Sequence, residues 1–367
     1  MQLSRLARLR GDVTRLVGIS ALRSAKLRAW VGRSRKTPLD GSTLDGNTLD
    51  GNTLDEFLAA MLGLDDLIGA SDFSKEAPQS ARAKLAESIL SVEEKIRDPL
   101  HVEDLYFKGA AGVIKARSYS PPGLQSATKA VFFMHGGGFV LGDLDTHDSL
   151  CRRIALDTGA RVFAIDYRLA PEARFPAAAE DAVAAFRDMG ERANELGIDT
   201  KKIAVMGDSA GGNLSAVVSL RTRADAIRPA LQALIYPAVD ATCAEPSHKT
   251  LAEGYMLNKA MLDWYYGHYF GGNDALRRHP DASPLFAETL VGVPPALVYT
   301  AGFDPLRDEG ALYAKRLREA GVATEHVCFE SQIHGFTLMG GLIPAAKEAT
   351  AKICRDVGAA LDRGSLT

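Results

Sequence analysis

Short apolar runs alternate with longer segments of helical periodicity from residue 102 onward, and this alternation limits the folds that the chain can adopt. The apolar runs predict eight strands, at residues 102–108, 113–120, 130–134, 161–165, 203–206, 231–236, 296–300 and 324–329. The helical patterns lie at residues 177–196, from residue 210, and at residues 305–320 and 344–361. Because buried strands joined by helices pair in parallel and are covered on both faces, the sequence predicts an α/β fold with an eight-stranded, mostly parallel sheet.

The alternation is interrupted at about residues 239–295, which are rich in aromatic side chains. In an α/β sheet, ligands bind beyond the carboxyl ends of the strands, where an insertion can roof a site and supply apolar walls. An aromatic core that serves only to fold the insertion is the alternative interpretation. Helical patterns at residues 54–64 and 81–96 precede the sheet, so we divide the chain into a helical segment at residues 54–100 and an α/β domain at residues 101–365.

Positive charge is concentrated in the first part of the sequence. Residues 1–36 hold ten Lys or Arg against one acid, Asp12, in a chain whose net charge is −3. Leu and Val recur there at three- and four-residue steps, a pattern typical of an amphipathic helix. One interpretation of this basic arm, residues 1–38, is a helix in weak peripheral contact with anionic lipid; a transit sequence and a solvated or partner-packed helix are the alternatives. The low net charge argues against nucleic acid as a partner.

Residues 39–55 contain a five-residue repeat of the form Leu-Asp-Gly-Asn/Ser-Thr. Asp-Gly and Asn-Thr favour turns, and three such short copies cannot make a stable solenoid, so we interpret the segment as a duplicated linker. A calcium loop built from Asp40, Asp45 and Asp50 is the alternative, but a spacing of five does not match the ligand positions of an EF-hand. We therefore predict no metal site here.

Cysteine spacing and hydropathy bear on the setting of the protein. Cys151, Cys243, Cys328 and Cys354 are far apart, without a Cys-x-x-Cys pair or a Cys/His ligand spacing. This pattern predicts neither a zinc site nor a disulfide framework and favours a reducing, cytoplasmic setting. No apolar run approaches the roughly 18 residues of a membrane span, and the N-terminal residues do not resemble a signal peptide. We therefore predict a cytoplasmic protein, with the basic arm as its candidate for membrane association.

Residues 207–212 read Gly-Asp-Ser-Ala-Gly-Gly and contain the pattern Gly-x-Ser-x-Gly around Ser209. The pattern lies where the predicted strand at residues 203–206 ends and a helix begins, which is the strand-turn-helix context of a nucleophilic serine. Small residues flank the serine because the sharp turn that exposes its Oγ above the sheet leaves no room for side chains. Ser209 is therefore the candidate nucleophile.

A glycine-rich segment, His-Gly-Gly-Gly-Phe at residues 135–139, directly follows the third predicted strand. Glycine lets backbone amides approach a developing oxyanion, so we predict the N–H groups of Gly137, Gly138 and Ala210 as oxyanion-hole donors. A phosphate-binding loop is the alternative, but the Lys-Ser/Thr that it requires is missing. We interpret His135 as a structural residue that fixes the loop rather than as a proton carrier.

A serine hydroxyl needs a general base at neutral pH, and the base needs an acid that orients it, in the chain order serine, acid, histidine for this type of turn. Asp304 and His334 each lie just beyond the carboxyl end of a predicted strand, on the rim that also carries Ser209. Glu330 is the second candidate for the acid, but it stands only four residues before His334. The sequence therefore predicts a triad of Ser209, Asp304 and His334.

Over roughly residues 54–358, the sequence resembles the bacterial carboxylesterases that are similar to hormone-sensitive lipase, often called family IV. The motifs that carry the resemblance are His135-Gly-Gly-Gly-Phe139, Asp166-Tyr-Arg-Leu-Ala-Pro-Glu172 with Phe175-Pro176, Gly207-Asp-Ser-Ala-Gly-Gly212, Tyr236-Pro237, Asp304-Pro-Leu-Arg-Asp308 and His334-Gly-Phe336. The resemblance implies the α/β-hydrolase fold, with a helical cap formed by the N-terminal helices and the insertion, and it supports the same triad and oxyanion donors. It also implies hydrolysis of short- to medium-chain acyl esters without a cofactor, and frequent homodimerisation.

Other functions are compatible with parts of this pattern. A ligand-binding receptor on the same fold, as in the gibberellin receptors, lacks the catalytic histidine, whereas this sequence has His334. An amidase, a lactonase or a long-chain lipase would use the same triad, and the fold does not exclude them. We therefore predict a serine carboxylesterase that acts on a small-molecule ester through an acyl-enzyme intermediate, with these functions as alternatives.

Overall fold

The structure is a computed structural model that describes residues 48–68, 72–124 and 127–364. The basic arm predicted at residues 1–38, with its amphipathic helix, and the repeat up to residue 47 lie outside the described residues. Within the described ranges, no helix combines the length and the hydrophobicity that a bilayer crossing requires.

The described elements alternate between strands and helices. In chain order the strands are β1 Thr48–Leu49, β2 Asn52–Thr53, β3 His101–Gly109, β4 Gly112–Ser120, β5 Thr128–Met134, β6 Arg161–Ile165, β7 Ile198–Asp208, β8 Leu231–Ile235, β9 Ala296–Phe303 and β10 Thr324–Ile333. The α-helices are α1 Glu56–Ile68, α2 Pro78–Val92, α3 Asp148–Thr158, α4 Ala177–Glu191, α5 Ala210–Arg221, α6 Ser247–Thr250, α7 Lys259–Phe270, α8 Arg307–Glu319 and α9 Pro344–Arg363. Short 3₁₀ helices lie at Asp274–Arg278, Pro284–Phe286 and Phe336–Leu338.

Strands β3 to β10 form one sheet in the order β10-β9-β8-β7-β5-β6-β4-β3. Neighbours from β10 to β6 pair in parallel, whereas β4 is antiparallel to β6 and β3 is antiparallel to β4. The predicted α/β fold, with an eight-stranded and mostly parallel sheet, is therefore confirmed.

Alternate side chains of the central strands enter two different cores, as the period-two geometry of a strand requires. Phe132 and Val205 pack with α4 and α5 on one face of the sheet. Their chain neighbours Val131 and Met206 pack with α3 and α9 on the other face. Both faces of β5 and β7 are therefore buried, which explains why these strands read as continuous apolar runs.

Helix α3 was not predicted from the sequence, although its pattern is amphipathic. Its buried residues include Leu150, Ile154 and Ala155, which lie at helical spacing on the face toward the sheet. Gly159 ends the helix in the left-handed conformation, with its N–H donating to Ala155 O. The periodicity and the terminal glycine were therefore both readable in the sequence.

Strands β7 and β10 extend beyond their predicted ends at residues 206 and 329. Residues 330–332 are polar, so the apolar pattern that predicted β10 stopped before the end of the strand. The pairing with β9 shifts register in the same region. As a result, Ser209 and His334 follow their strands directly, with no intervening loop residue.

The described copy of the repeat forms a small hairpin, β1 and β2, which packs on the domain. Asp50 and Gly51 form its turn with positive φ values of 53° and 84°, the conformation that Asp-Gly favours. Leu49 and Leu54 are buried in the core beside α9, and the Asp50 carboxylate lies 3.0 Å from the guanidinium of Arg307. This copy is therefore part of the packed structure, which the linker interpretation did not anticipate, and Asp50 pairs with a cation of the chain itself.

Candidate active site

The crevice between the carboxyl ends of β5 and β7 is where the candidate residues meet. Strand β5 is followed by a connection to β6 on one side, and the chain then returns to β7 on the other side. Such a topological switch point opens a crevice at the strand ends, where ligands bind in α/β sheets. The glycine-rich loop follows β5, and Ser209 follows β7.

Ser209 lies in a strained turn between β7 and α5, with φ 54° and ψ −117°. Residues other than glycine rarely adopt this backbone conformation. The surroundings hold the turn in place, since the Ser209 N–H donates to Ile235 O at 2.8 Å. The flanking glycines are required for space, because a Cβ at Gly211 would lie 1.9 Å from Met134 O and a Cβ at Gly207 would lie 2.5 Å from the same atom. The backbone of this turn is therefore packed against the end of β5.

The three residues predicted as a triad form one hydrogen-bonded line. His334 Nε2 lies 2.9 Å from Ser209 Oγ, and His334 Nδ1 lies 2.8 Å from Asp304 Oδ2. With the proton on Nδ1 donated to the carboxylate, Nε2 is free to accept the serine proton. This arrangement can activate the hydroxyl and stabilise the imidazolium that forms.

Asp304 is held in a fixed position just beyond β9. Its side chain is fully buried, and its other carboxylate oxygen, Oδ1, accepts a 2.8 Å hydrogen bond from Leu306 N–H. The second candidate acid, Glu330, lies inside β10 with an exposed side chain. Asp304 is therefore the carboxylate that contacts His334.

His334 is fixed by the aromatic residues around it as well as by Asp304. The ring of Tyr236 packs against the imidazole at a centroid distance of 4.7 Å, and Phe336 packs in turn on Tyr236 at 5.3 Å. Gly335 adopts φ 78°, which turns the chain sharply after the histidine. The imidazole edge therefore stays directed at Ser209.

Gly137 and Gly138 of the glycine-rich loop line the same crevice as Ser209. Gly137 adopts φ 112°, and its carbonyl accepts hydrogen bonds from Val140 N–H at 3.1 Å and from Leu141 N–H at 2.8 Å. The ring of Tyr265 lies on Gly138, where a Cβ would approach it to 2.4 Å. Ala210 is the first residue of α5, a position whose N–H has no partner within the helix. The three predicted donors therefore lie in segments that end at the same crevice.

A buried polar network supports this loop from behind. His135 O accepts a 2.7 Å hydrogen bond from Tyr167, and the two rings stack at 4.3 Å. Burial, with His147 nearby, lowers the pKa of His135 to about 4, so its ring is neutral at pH 7. The structure thus fits a structural role for His135. Asp208 accepts the N–H of Gly136 at 2.9 Å and lies 3.4 Å from His147 Nε2.

The charge of Asp208 is stabilised in spite of its burial. Burial by itself raises the pKa of this carboxyl, but His147, His135 and the Gly136 N–H outweigh it, so the pKa is lowered overall. Asp208 therefore stays ionised, and its hydrogen bond with the Gly136 N–H joins the turn that carries Ser209 to the glycine-rich loop.

Arg82, in α2, is a site residue that sequence reasoning missed. Its Nε donates to Val140 O at 2.8 Å and its Nη2 donates to Ala170 O at 2.9 Å, and the guanidinium also forms a forked ion pair with Glu172. Every residue has a backbone carbonyl, so the sequence does not indicate which carbonyls Arg82 contacts. The sequence showed only a single arginine within a predicted helix. Arg82 joins the N-terminal helices to the loop of Gly138.

A cavity of about 490 Å³ opens in front of Ser209 and His334. Its walls come from α1, α2, α7 and the segment before α7, and they are mostly apolar, with Leu85, Ile89 and Met261 among the residues that line it. Residues of the N-terminal helices and of the insertion together therefore line the cavity over the strand ends. Among the described residues, no group of three His, Cys, Asp or Glu side chains is arranged to hold a metal ion.

Comparison with known proteins identifies relatives over most of the chain. The family model for the alpha/beta hydrolase fold matches residues 131–338. The carboxylic ester hydrolase LipN of Mycobacterium tuberculosis is 49% identical over 246 residues, which span 65% of each chain. The ethyl acetate hydrolase of Pseudomonas putida is 38% identical over 278 residues, 74% of this chain and 87% of that protein. Among solved structures, an ester hydrolase from the metagenome of Lake Arreo superposes with a TM-score of 0.81 at 38% identity, over 84% of this chain and 100% of that one.

Proposed function

This chain belongs to the α/β-hydrolase family, among the carboxylesterases that resemble hormone-sensitive lipase, and from that premise we propose that it is a serine carboxylesterase acting on small-molecule esters. The observation that carries the proposal is the line from Asp304 through His334 to Ser209, which ends at an apolar cavity. The names of the relatives support the reaction class, since those cited above are ester hydrolases.

In the proposed mechanism, the Ser209 hydroxyl attacks the carbonyl carbon of a bound ester while His334 Nε2 takes its proton. The N–H groups of Gly137, Gly138 and Ala210 stabilise the oxyanion that develops. Collapse of the intermediate breaks the bond to the alcohol oxygen, which leaves with the proton from His334. Water then attacks the acyl-enzyme by the same route and releases the acid.

Asp304 contributes through His334 and does not contact the ester. Its carboxylate holds the imidazole in the tautomer that can accept the serine proton and stabilises the positive charge that follows. Because its side chain is fully buried, water weakens this interaction little.

The shape and chemistry of the cavity support esters with short to medium acyl chains. Its lining is mostly apolar, so binding of an acyl chain removes apolar surface of both the chain and the cavity from water. The volume of about 490 Å³ is within the range for sites that enclose small organic molecules. Ethyl acetate, named for the Pseudomonas relative, is a short ester of this kind.

A panel of p-nitrophenyl esters from acetate to palmitate, run with the purified full chain, tests this proposal. We expect kcat/KM to be highest for acyl chains of short to medium length and to fall toward palmitate. Ser209→Ala should abolish turnover, whereas replacement of Ser219, a buried serine ten residues further on in α5, by Ala should retain it. Turnover by Ser209→Ala at the wild-type rate would reject the assignment of the nucleophile.

The same assay separates the esterase from its alternatives. An amidase or lactonase would turn over p-nitroanilides or lactones at least as fast as the matched esters. A ligand-binding receptor would bind esters in the cavity without turnover. The position of His334 at 2.9 Å from Ser209 favours the enzyme over the receptor.

We also propose weak peripheral membrane contact through residues 1–36, a cytoplasmic location and a homodimer. The first two rest on the charge pattern and cysteine spacing of the sequence, and the third rests on the family resemblance. Pelleting with anionic vesicles, compared between the full chain and a variant that lacks residues 1–36, tests the first. Light scattering on a sizing column tests the third, and a monomer mass would contradict it.

A further inference from the structure

Three consecutive residues of the glycine-rich loop have positive φ values. Gly137, Gly138 and Phe139 adopt φ values of 112°, 60° and 64°. Glycine tolerates such values, but a residue with an aromatic side chain rarely adopts them and keeps them only where its surroundings hold it. The loop that carries two of the proposed oxyanion donors therefore depends on contacts from outside itself.

Helix α7 of the insertion makes such contacts with two of these residues. The ring of Tyr265 lies so close to Gly138 that a Cβ there would be 2.4 Å from its Cγ and Cδ1 atoms. One turn further along the helix, the ring of Tyr269 stacks on Phe139, with centroids 4.0 Å apart and an interplanar angle of 7°. Residues four apart lie on the same face of a helix, so one face of α7 presents both rings to the loop.

The helix that carries the two rings is itself held in place. Both tyrosine side chains are buried. The ring of Tyr269 also packs edge-on against Phe175 at 5.6 Å, and its carbonyl accepts the Phe175 N–H at 3.0 Å. At the start of α7, the Asn258 side chain accepts the N–H of Met261 at 2.8 Å, which fixes the first turn. The rings therefore belong to a supported element rather than to a free loop.

The contacts with the loop are made by the aromatic rings and not by the hydroxyls. Tyr269 meets Phe139 face to face, and the Tyr265 ring fills the space that a side chain at position 138 would need. Within the part of the chain that the structure describes, the buried hydroxyl of Tyr269 has no hydrogen-bond partner. A flat ring at each position is therefore the feature on which the loop depends.

We propose that Tyr265 and Tyr269 are positioning residues for ester hydrolysis, which hold the loop so that the Gly138 N–H is directed at the developing oxyanion. The inference rests on the proposed function and gives the insertion a part in the chemical step, since the oxyanion hole is complete only while α7 is packed on the loop. Tyr265 also lines the cavity, but the proposed role acts through Gly138 and not through contact with the ester. Donors that are fixed in advance stabilise an oxyanion without reorganisation during the reaction.

Replacing each ring by an aliphatic side chain tests the proposal. A displaced donor should cost less than the roughly 10²–10³ in rate that a missing donor costs, so we expect Tyr265→Leu and Tyr269→Leu to lower kcat for p-nitrophenyl acetate by about 10–100-fold. KM should change by less than about threefold, because the lost interaction is made in the transition state. Tyr269→Phe keeps the ring and should bring kcat to within about threefold of the wild type.

A transition-state analogue separates this role from a merely structural one. Phenyl trifluoromethyl ketone forms a bond to Ser209 Oγ, whose proton goes to His334, and its carbonyl oxygen becomes an oxyanion. Its inhibition constant should therefore rise by the same factor as kcat/KM falls. A variant that is only less stable would have fewer active molecules, and those that remain would keep the wild-type inhibition constant. Tyr313→Leu is the matched control, since Tyr313 is a buried tyrosine in a separate core cluster and does not line the cavity; its inhibition constant should be that of the wild type.

Several outcomes would overturn the proposal. They are wild-type kcat in both leucine variants, an inhibition constant that stays constant while kcat falls, and a Tyr269→Phe protein as slow as Tyr269→Leu. Should the leucine variants not fold, Tyr265→Met is measured in the same way with the same expectation, because its flexible side chain can fill the space without a flat ring. A wild type that hydrolyses no p-nitrophenyl ester would reject the proposed function itself, whereas an active wild type with unaffected variants would reject the positioning role alone.

Discussion

Replacing Arg82 by Met removes the group that joins the cap to the glycine-rich loop, and the structure sets the size of the effect. The methionine keeps most of the apolar stem but leaves Val140 O and Ala170 O without their donors, in residues that are both fully buried. A buried carbonyl that loses its partner costs about 1–3 kcal/mol. With two such carbonyls, we expect the free energy of unfolding to fall by about 2–6 kcal/mol.

The ion pair with Glu172 contributes little to this figure. The Glu172 side chain is 63% exposed, and exposed pairs are worth at most about 1 kcal/mol. Glu172→Gln should therefore cost less than about 1 kcal/mol. Arg187→Met is the matched control at a surface arginine, since Arg187 is 47% exposed and pairs mainly with Asp225. It should cost a similarly small amount.

Urea unfolding followed by tryptophan fluorescence measures these differences. Trp264 reports on the docked cap, because its Nε1 donates to Glu76 O just before α2, and Trp30→Phe removes the other tryptophan of the chain. The same variants are assayed with p-nitrophenyl acetate, where we expect Arg82→Met to lower kcat by about tenfold, a part of the 10²–10³ that loss of one oxyanion donor costs. An Arg82→Met protein as stable as Arg187→Met, with unchanged kcat, would refute the reasoning.

Three further predictions follow from the site. Asp304→Asn should lower kcat by a factor of about 10⁴ with little change in KM, because the imidazole loses its productive tautomer. Steady-state kinetics measures both constants, and a fall in kcat of less than about tenfold would contradict this prediction. Gly211→Ala places a Cβ 1.9 Å from Met134 O and should cost about 3 kcal/mol or more, whereas Gly267→Ala, with open space around it, should not destabilise the protein in the same urea titration. The pKa of Asp208 is lowered from its ordinary value of 3.8, so its contribution to stability is present above that pH and is lost as the pH falls through the lowered value. Asp208→Asn should therefore be less stable than the wild type at pH 7, and the difference should shrink below pH 3.8; a difference that stays constant to pH 2 would refute this.

The sheet and the candidate triad could be predicted from the sequence because their signals are local. Ser209 stands in a five-residue pattern at a strand end, and Asp304 and His334 each follow an apolar strand. Parallel strands bring their carboxyl ends to one edge, so the order of motifs along the chain was enough to place these residues on the same rim.

Other contacts could not be predicted because they join distant segments without a sequence pattern. Arg82 binds carbonyls 58 and 88 residues away, and any residue offers a carbonyl. Tyr269 stacks on Phe139 from a distant part of the chain, and it belongs to no motif used above. The Asp50-Gly51 turn was readable, but the burial of Leu49 and Leu54 depends on where the hairpin packs.

The hairpin of the repeat has a consequence for how the length of the chain can vary. Residues 44–50 and 49–55 carry the same seven letters, Leu-Asp-Gly-Asn-Thr-Leu-Asp. Deletion of residues 44–48, one copy of the repeat, therefore leaves the same seven residues in front of α1. The leucines at the two buried positions and the aspartate that pairs with Arg307 are all retained. Replication errors that add or drop whole copies would thus leave the sequence of the hairpin, and of the folded residues that follow it, unchanged.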